Sequence, residues 1–448
     1  MPELNWRKPL IYALLYATGN RIPKNLEYIR DYVNKPINQQ KSLQLEKLKS
    51  ILKYSWKNIP YYRQILTKAS VVNKSGRVNL NNFNKIPPLT KAIIREQGNS
   101  LYSPYHKIRR SYKNTTSGST GDPVEFIQDK FYSEWNFANK IYLKEIAGQQ
   151  VGDRELRLWG SEEDLLGVKE NLYLRLIAWL YNRVDFNSFS MAKPRQKRLV
   201  KMWRKFKPQW VEAYVQSIEE FAKYVEKSDI PLPPPRGILT TAGNLLPATE
   251  KLISRVFGCP VYNRYGTREV GDAACTKPSG HELSLSTWNH FVEILDEELE
   301  PCSSNKPGTL YITTLNNYSM PLIRYNIGDL GTSSKKWGYL ASVQGRQTSF
   351  FINHKGEKIF SGFFRHILFY MSWIIKYQVI QESLTLIIYK IVTEKNITPP
   401  AADLRQIKQK IKKIMGKQCE VRFLFTNHIP TSASGKYLFT ISKVNQEK

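Results

Sequence analysis

Cysteine is scarce in this 448-residue chain, which carries only four. They are Cys259, Cys275, Cys302 and Cys419, and no two of them form a C-x-x-C pair. Such wide spacing argues against a disulfide framework and predicts a reducing, cytoplasmic environment. These thiols do not complete a set of zinc ligands, although Cys275 with His281 leaves a metal site open as an alternative.

Long apolar runs are also absent, and none approaches the roughly 20 residues that a bilayer-spanning helix requires. The apolar stretch Leu10–Ala17 lacks a small-residue cleavage site before Asn20, so we expect no secretory signal. We expect Leu10–Tyr16 to form a short buried or interfacial helix, and burial is the favoured alternative.

Acidic residues are few, because 38 acidic against 67 basic side chains give a formal net charge of +29. Charge of this sign attracts polyanions and anionic lipid headgroups. The densest basic segment, 193–207, contains Leu199, Val200, Trp203 and Phe206, which form one stripe at helical spacing.

Two interpretations of segment 193–207 stay open. The favoured one is a solvated helix packed through its stripe. The alternative is a peripheral contact with an anionic membrane, at its inner face, or with a polyanion. No nucleic-acid-binding module accompanies the charge, so we expect no specific nucleic acid as a partner.

The length exceeds what one compact core supports, so two or three domains are expected. An amphipathic helix is predicted over Gln40–Ser55 and another ending at Gly258. Strands are predicted at Leu156–Trp159, Trp210–Tyr214, Gly237–Thr241, Pro260–Asn263, Phe291–Leu295 and Leu310–Leu315. The alternation of strands and helices predicts an α/β body with helix-covered sheets, extended by a β-rich subdomain.

The pattern changes after Gly345. Strand Leu384–Val392, helix Ala402–Met415 and strand Cys419–Phe425 are expected to form a small α+β domain with its own core. The predicted organisation is therefore a large N-terminal α/β domain, residues 1–345, and a small mobile C-terminal domain, residues 346–448.

A hydroxyl- and glycine-rich run, Thr115–Pro123, is the first segment that points to chemistry. Its glycines let backbone N–H groups turn inward as an anion-binding nest, and its hydroxyls add donors. No lysine follows to complete a Walker-type loop. Taken alone, the run predicts either a phosphate-holding loop or a flexible surface linker.

Four further motifs follow in order. Residues 262–271 (YNRYGTREVG) run from a strand into a tight glycine turn, where an aromatic ring can stack on a nucleobase and a carboxylate can hold Mg²⁺ between phosphate oxygens. Residues 321–329 (PLIRYNIGD) end in an aspartate suited to ribose hydroxyls. Gly345-Arg346 lies where a hinge would, and residues 430–436 (PTSASGK) deliver a lysine. Each motif alone is also typical of an ordinary surface turn.

As an ordered set, the motifs resemble those of the adenylate-forming enzymes, specifically the phenylacetate–CoA ligase branch and its CapK-type capsule-biosynthesis relatives. The resemblance spans most of the chain. It includes residues 59–62 (IPYY), 86–91 (IPPLTK), 158–160 (LWG) and 241–245 (TAGNL). The form YGTREVG at residues 265–271 is more similar to the CapK type.

This resemblance implies ATP-dependent activation of a carboxylic acid to an acyl-adenylate, with Mg²⁺ as cofactor. Pyrophosphate is released, and the acyl group passes to CoA or another acceptor, in capsule or exopolysaccharide biosynthesis. The expected acid is aromatic or a small acyl acid.

The resemblance also implies roles for individual residues. The implied phosphate loop consists of Thr116, Ser117, Gly118, Ser119, Thr120 and Gly121. Ala242 and Gly243 would enclose adenine together with Tyr265, which leads into the nucleotide-binding turn at Gly266.

The remaining implied roles belong to the chemical step and its surroundings. Thr267 would contact the α-phosphate and Glu269 would hold Mg²⁺. Asp329 would bind the ribose, with Arg346 nearby, and Lys436 would reach the reacting atoms from the C-terminal domain.

Three positions depart from the family pattern. Gln347 stands where an aspartate usually follows the hinge arginine, Arg268 replaces a hydroxyl residue before the glutamate, and Tyr437 follows Lys436 where a basic residue is frequent. Adenylation is therefore better supported than thioester formation. An adenylating enzyme with a non-CoA acceptor stays open, as does a non-catalytic basic protein that binds anionic membrane or polyanions.

Overall fold

The computed structural model describes residues 5–444 except 117–123, 160–171, 189–190, 192, 279, 305, 347–349, 357, 361–363, 365–366, 369–370, 372, 394–396 and 430–438. The described α-helices are α1 (Arg7–Ala17), α2 (Ile22–Asn34), α3 (Ile37–Asn58), α4 (Pro60–Lys68), α5 (Lys91–Gln97), α6 (Lys130–Ala147), α7 (Leu172–Leu180), α8 (Lys193–Phe206), α9 (Val215–Lys227), α10 (Pro247–Phe257) and α11 (Ala401–Met415). Short 3₁₀ helices cover Leu80–Lys85 and Gly98–Leu101.

The described strands fall into a long N-terminal series and a shorter C-terminal one. The first comprises β1 (Tyr112–Thr115), β2 (Glu125–Gln128), β3 (Glu155–Trp159), β4 (Arg183–Asn187), β5 (Trp210–Tyr214), β6 (Gly237–Thr241), β7 (Val261–Thr267), β8 (Gly271–Thr276), β9 (Leu283–Leu285), β10 (His290–Leu295), β11 (Pro307–Thr314), β12 (Tyr325–Ser333) and β13 (Tyr339–Arg346). The second comprises β14 (Phe350–Ile352), β15 (Lys358–Phe360), β16 (Ile374–Ser383), β17 (Leu386–Thr393), β18 (Glu420–Phe425) and β19 (Thr440–Ser442).

A large sheet of eleven described strands has the order β10-β11-β12-β13-β9-β8-β7-β6-β5-β3-β4. The part from β4 to β7 is parallel. From β7 onward the pairings β7-β8, β8-β9 and β9-β13 are antiparallel, as are β10-β11 and β11-β12. Strand β7 is thus the junction between the two parts, and the predicted α/β body with a β-rich extension is confirmed.

Helices cover the parallel part of the sheet, as the alternation of strands and helices in the sequence predicts. Strand β6 is buried along its whole length, which is typical of a parallel strand with both faces covered. In the core against it, the Trp203 ring of α8 stacks on Phe257 of α10 with centroids 5.0 Å apart. The basic segment predicted as a packed helix is therefore confirmed: Leu199, Val200 and Trp203 are buried in this core, whereas its cations are exposed.

The apolar segment near the start of the chain forms the predicted helix, α1, but the expectation of burial is wrong for most of it. Ile11 is its buried residue, and Leu10 and Leu14 are exposed. The segment is apolar on every side, and one helix face suffices to pack against the cluster that contains Leu26 and Trp135. None of the described helices combines the length and apolar character needed to cross a bilayer.

The chain separates into two compact units between Val343 and Gln344. The second unit contains a four-stranded sheet of order β18-β17-β16-β19 and the helix α11. Its core includes Phe351, Tyr389, Ile407 and Ile411. The strand predicted over Leu384–Val392 is confirmed as β17, and the sequence pattern did not predict β16, which forms a hairpin with it. The expectation of a mobile domain over residues 346–448 stays a prediction.

Candidate active site

Four parallel strands end at one edge of the large sheet, and polar or aromatic residues stand at their ends. These residues are Trp159 on β3, Tyr214 on β5, Thr241 on β6 and Thr267 on β7. The rings of Trp159 and Tyr214 lie 4.5 Å apart between centroids. Ligands of open α/β sheets bind outside the carboxyl ends of the strands, so this edge is the candidate active site.

The chain leaves β6 through a strained residue. Ala242 has φ +57°, a left-handed conformation that costs energy for a residue with a Cβ. Gly243 follows so closely against α9 that an added Cβ would lie 3.0 Å from Gln216 Nε2 and 3.1 Å from Val215 Cβ. Both residues implied to enclose adenine are therefore held tightly at this edge.

The turn from β7 into β8 requires glycine at both ends. A Cβ on Gly266 would lie 2.5 Å from the Gly271 carbonyl oxygen and 2.8 Å from Asp272 Cα. Gly271 has φ +72°, and a Cβ there would lie 2.7 Å from Asn136 Oδ1. The backbone crossing at this turn is therefore too close for any side chain, and it fixes the residues between the glycines.

Thr267 and Glu269 occupy that turn. The Thr267 hydroxyl is buried and has no hydrogen-bond partner among the described residues. The Glu269 side chain is buried, and its Oε1 accepts a hydrogen bond of 3.4 Å from the Tyr325 hydroxyl. Because buried polar atoms are normally paired, the free hydroxyl marks a place that a ligand oxygen would fill.

The turn is tied to the hairpin β1–β2. Gln128, the last residue of β2, donates through Nε2 to the carbonyl oxygens of Arg268 and Glu269, at 3.0 and 3.2 Å. The Tyr132 hydroxyl adds a bond of 3.3 Å to the same Glu269 oxygen. Sequence reasoning missed Gln128 and Tyr132, since neither lies in a motif that resembles the family.

The hydroxyl-rich run connects the two strands of that hairpin. Thr116 is buried, its N–H donates to the Val124 carbonyl oxygen at 3.0 Å, and its Oγ1 accepts from the Val124 N–H at 3.1 Å. These two bonds close the base of the run. The other members, Ser117, Gly118, Ser119, Thr120 and Gly121, lie outside the described residues, as does Lys436.

Two residues of separate motifs meet in the same unit. The Tyr265 hydroxyl on β7 donates to Asp329 Oδ2 on β12 at 2.7 Å. Asp329 is buried and Tyr265 half-buried. The residues implied to contact adenine and ribose are therefore neighbours. Arg346 ends β13, and its side chain lies outside what the structure describes.

A buried ionic network underlies β7, and sequence reasoning missed it. Arg264 Nη2 lies 2.5 Å from Glu212 Oε1 on β5, and Arg264 Nε lies 3.3 Å from Asp272 Oδ1. Lys144 of α6 lies 2.9 Å from Glu212 Oε2. Burial raises the pKa of Glu212, but the surrounding cations, Arg264 first, outweigh it and hold that pKa well below its usual range. The network joins β7 to β5 across the intervening β6, and its only sequence signal is a charge on an inward-facing strand position.

The donor set suits a magnesium ion shared with a substrate. Among the described residues no group of three or more His, Cys, Asp or Glu side chains converges to hold a metal. Mg²⁺ is commonly bound by one or two carboxylates together with substrate phosphates, and Glu269 supplies one such carboxylate. Cys275 and His281 are the pair for which the sequence left a metal site open. Cys275 is buried, which raises its thiol pKa to about 12, whereas His281 is exposed.

Comparison with solved structures identifies the fold. A 2-hydroxyisobutyryl-CoA ligase in the postadenylation state, in complex with an acyl-AMP, superposes with a TM-score of 0.70 at 18% identity, covering 91% of this chain and 90% of that one. The anthranilate CoA ligase AuaEII in complex with anthranoyl-AMP gives a TM-score of 0.54 at 16% identity, covering 72% and 65%. The fold is that of the adenylate-forming CoA ligases.

Sequence comparison adds named relatives to the fold that the structural comparison identifies. The CapK C-terminal domain family matches residues 351–443. The protein CapK of Staphylococcus aureus is 23% identical over 97% of this chain and 98% of its own length. The phenylacetate-coenzyme A ligase of Thermus thermophilus is 25% identical over 66% of each chain. This chain is a homologue of CapK and of phenylacetate-coenzyme A ligase, as the ordered motifs predict.

Proposed function

We infer that this protein activates a carboxylic acid with ATP, forming an acyl-adenylate and pyrophosphate, and then transfers the acyl group to CoA or another acceptor. The observation that carries this proposal is the Thr267 hydroxyl, which is buried without a hydrogen-bond partner among the described residues, in the same turn as the buried Glu269. The acyl-AMP complexes of the structural neighbours support the same chemistry.

In the first step, a carboxylate oxygen of the acid attacks the α-phosphorus of ATP, and the bond from that phosphorus to the bridging oxygen breaks. Pyrophosphate leaves with the bonding electrons. The Thr267 hydroxyl donates a hydrogen bond to an α-phosphate oxygen, which offsets the charge that builds up there. Donors of the run 116–121 hold the leaving phosphates, and a bound Mg²⁺, held by Glu269, would neutralise phosphate charge.

Other residues position the nucleotide. Asp329 accepts hydrogen bonds from the ribose hydroxyls, and Tyr265, held by Asp329, lies with Ala242 and Gly243 against the adenine. Because Ala242 and Gly243 are already constrained, this part of the site needs little reorganisation on binding. We assign Lys436 to the contact between the carboxylate and the α-phosphate, and Arg346 to the neighbourhood of the ribose.

The C-terminal residues 346–448 are proposed to act as a mobile lid that carries Lys436. After adenylation, rotation near Gly345 would withdraw the lysine and admit the acceptor. The absence of an aspartate after Arg346 keeps a non-CoA acceptor, such as an amine, a hydroxyl or a carrier-protein thiol, as the second candidate. Product analysis with and without CoA separates the two.

The biological setting is also a proposal. Homology to CapK supports a role in capsule or exopolysaccharide biosynthesis. The proposed use of ATP and CoA supports a cytoplasmic location. The paired rings of Trp159 and Tyr214 favour an aromatic or small apolar acid. A non-catalytic role as a basic binding protein is disfavoured, because it does not account for the constrained turn or for a buried hydroxyl that no described residue pairs.

The proposal is tested by incubating the protein with ATP, MgCl₂ and a panel of carboxylic acids, followed by mass spectrometry. We expect at least one acid to give its acyl-AMP in stoichiometric amount, and the same acid to raise the melting temperature with ATP. ATP hydrolysis without acyl-AMP for any acid, or no nucleotide binding at all, would overturn the proposal.

A further inference from the structure

Helix α7 exposes an apolar face. Leu172, Leu176 and Trp179 recur at helical spacing and are 78%, 58% and 56% exposed. Its buried residue is Ala178. A short helix of this composition would normally bury such a face, so its exposure calls for an occupant.

Helix α1, together with its N-cap residue Trp6, exposes a second apolar face. Trp6, Leu10 and Leu14 stand at i, i+4 and i+8, and each is at least 40% exposed. This is the helix whose burial was expected from sequence. The buried residue on its packed side is Ile11.

The two faces meet at their tryptophans. The ring centroids of Trp6 and Trp179 lie 6.1 Å apart, and the Arg7 guanidinium lies over both rings, at 4.6 and 5.5 Å. The α1/α7 surface is defined by Trp6, Leu10, Leu14, Leu172, Leu176 and Trp179.

The two helices that carry the α1/α7 surface contain basic residues but no acidic ones. The basic residues are Arg7, Lys8 and Arg175. Arg175 lies on the exposed face of α7, between Leu172 and Trp179. The whole chain adds a formal charge of +29. Exposed leucine and tryptophan with adjacent arginine is the composition of helices that lie in a membrane interface.

We propose that the α1/α7 surface docks the protein on an anionic lipid bilayer, with its leucine and tryptophan side chains in the interfacial layer. This surface supplies the insertion that segment 193–207 lacks, because the apolar stripe of α8 is buried in the core. A second copy of the chain is the weaker candidate for the occupant, since pairing would bring two chains of +29 together.

The experiment measures vesicle co-sedimentation of the full chain on phosphatidylcholine vesicles with and without one-third phosphatidylglycerol. The test variant is Leu172→Glu/Leu176→Glu, each at an exposed position. The control is Ile108→Glu, which also replaces an exposed aliphatic side chain by glutamate, at a residue that is 83% exposed and lies outside the α1/α7 surface. Circular dichroism melting verifies that all three proteins are folded.

We expect wild type to bind the anionic vesicles and to retain measurable binding in 0.5 M salt, where screening removes most surface electrostatics. The test variant should lose at least tenfold in partition constant, and Ile108→Glu should change by less than about threefold, because a single surface charge contributes little at this salt. Equal losses in both variants would show attraction by charge alone and overturn the proposal.

Two further measurements do not depend on the glutamate variants. Lipids brominated near the headgroup should quench wild-type fluorescence more than that of Trp6→Phe/Trp179→Phe, and equal quenching would contradict docking through this surface. Sedimentation velocity without lipid tests whether a second copy of the chain occupies the surface instead. A wild-type dimer that Leu172→Glu/Leu176→Glu dissociates would assign the surface to a second copy and overturn the proposal.

Discussion

Thr267 is a buried hydroxyl whose hydrogen-bonding capacity no described residue uses. Replacing it by valine keeps its shape and removes an unpaired polar atom. We expect Thr267→Val to change the free energy of unfolding by less than about 1 kcal/mol, in either direction. Loss of one donor at the α-phosphate should lower the rate of adenylation by on the order of 100-fold.

Thr249 provides the matched control for this variant. It is buried in α10, and its hydroxyl also lacks a partner among the described residues. Thr249→Val should leave both stability and adenylation nearly unchanged. If Thr267→Val behaved like Thr249→Val in the rate assay, the role assigned to Thr267 would be wrong.

His290 lies beneath the same turn, and it links stability to pH. Its Nε2 donates to the Val270 carbonyl oxygen at 2.7 Å, and burial lowers the pKa of the ring to about 4, partly offset by this bond. Below pH 6.5 the His290 imidazole is protonated in the unfolded chain but stays neutral in the folded chain until the pH approaches 4. Stability should therefore fall as pH decreases from 6.5 to 4, by up to about 3 kcal/mol from this residue.

Urea unfolding of wild type and His290→Asn at pH 7, 6 and 5 isolates the effect of this group. The two free energies should converge as pH falls, because the proton-linked loss occurs in wild type alone. Parallel curves would contradict the assignment of a neutral, buried imidazole.

At the scale of elements, the β7–β8 turn holds the site together. Gly266→Ala would force a methyl group onto the Gly271 carbonyl oxygen, so the strands must separate. We expect a loss of about 2 kcal/mol or more in the free energy of unfolding, together with loss of adenylation. Gly280→Ala is the control, since the nearest atom to its added Cβ would be 3.6 Å away. A stable and active Gly266→Ala protein would show that the close crossing is unnecessary.

Strands and helices with a clear apolar pattern could be predicted from sequence, and β5 and β6 match their predicted bounds. Strand β16 could not, because Gln381 is a polar residue at a buried position. The structure explains why this side chain is buried: its Oε1 accepts a hydrogen bond from the Ile352 N–H at 2.9 Å, and its Nε2 donates to the Ile352 carbonyl oxygen at 2.6 Å. Helix α1 shows the opposite failure: a segment apolar on every side does not reveal which face it buries.

The site could be predicted only as far as local motifs reach. The glycine turn and its glutamate are contiguous in sequence, so their proximity follows from the chain itself. The bond from Gln128 to Arg268 spans 140 residues, and that from Tyr265 to Asp329 spans 64. Such pairings depend on strand order in the large sheet, which no local pattern encodes.

At the scale of the whole molecule, the proposed chemistry needs groups from both units of the chain. Glu269 belongs to the unit that ends at Val343, and Lys436 lies in the sequence of the other. Each unit has its own buried core, so a substitution in one should not unfold the other. Loss of activity from either residue, with both cores intact, would indicate that the two units act in one reaction.

Acid-dependent exchange of pyrophosphate into ATP tests the central claim most directly, because it reports reversible acyl-adenylate formation and needs no acceptor. We expect exchange in wild type, and a decrease of on the order of 100-fold in both Glu269→Gln and Lys436→Ala at unchanged melting temperature. Lys443→Ala, at an exposed lysine paired with Glu382, should exchange like wild type. Undiminished exchange in Glu269→Gln and Lys436→Ala would contradict the proposed active site.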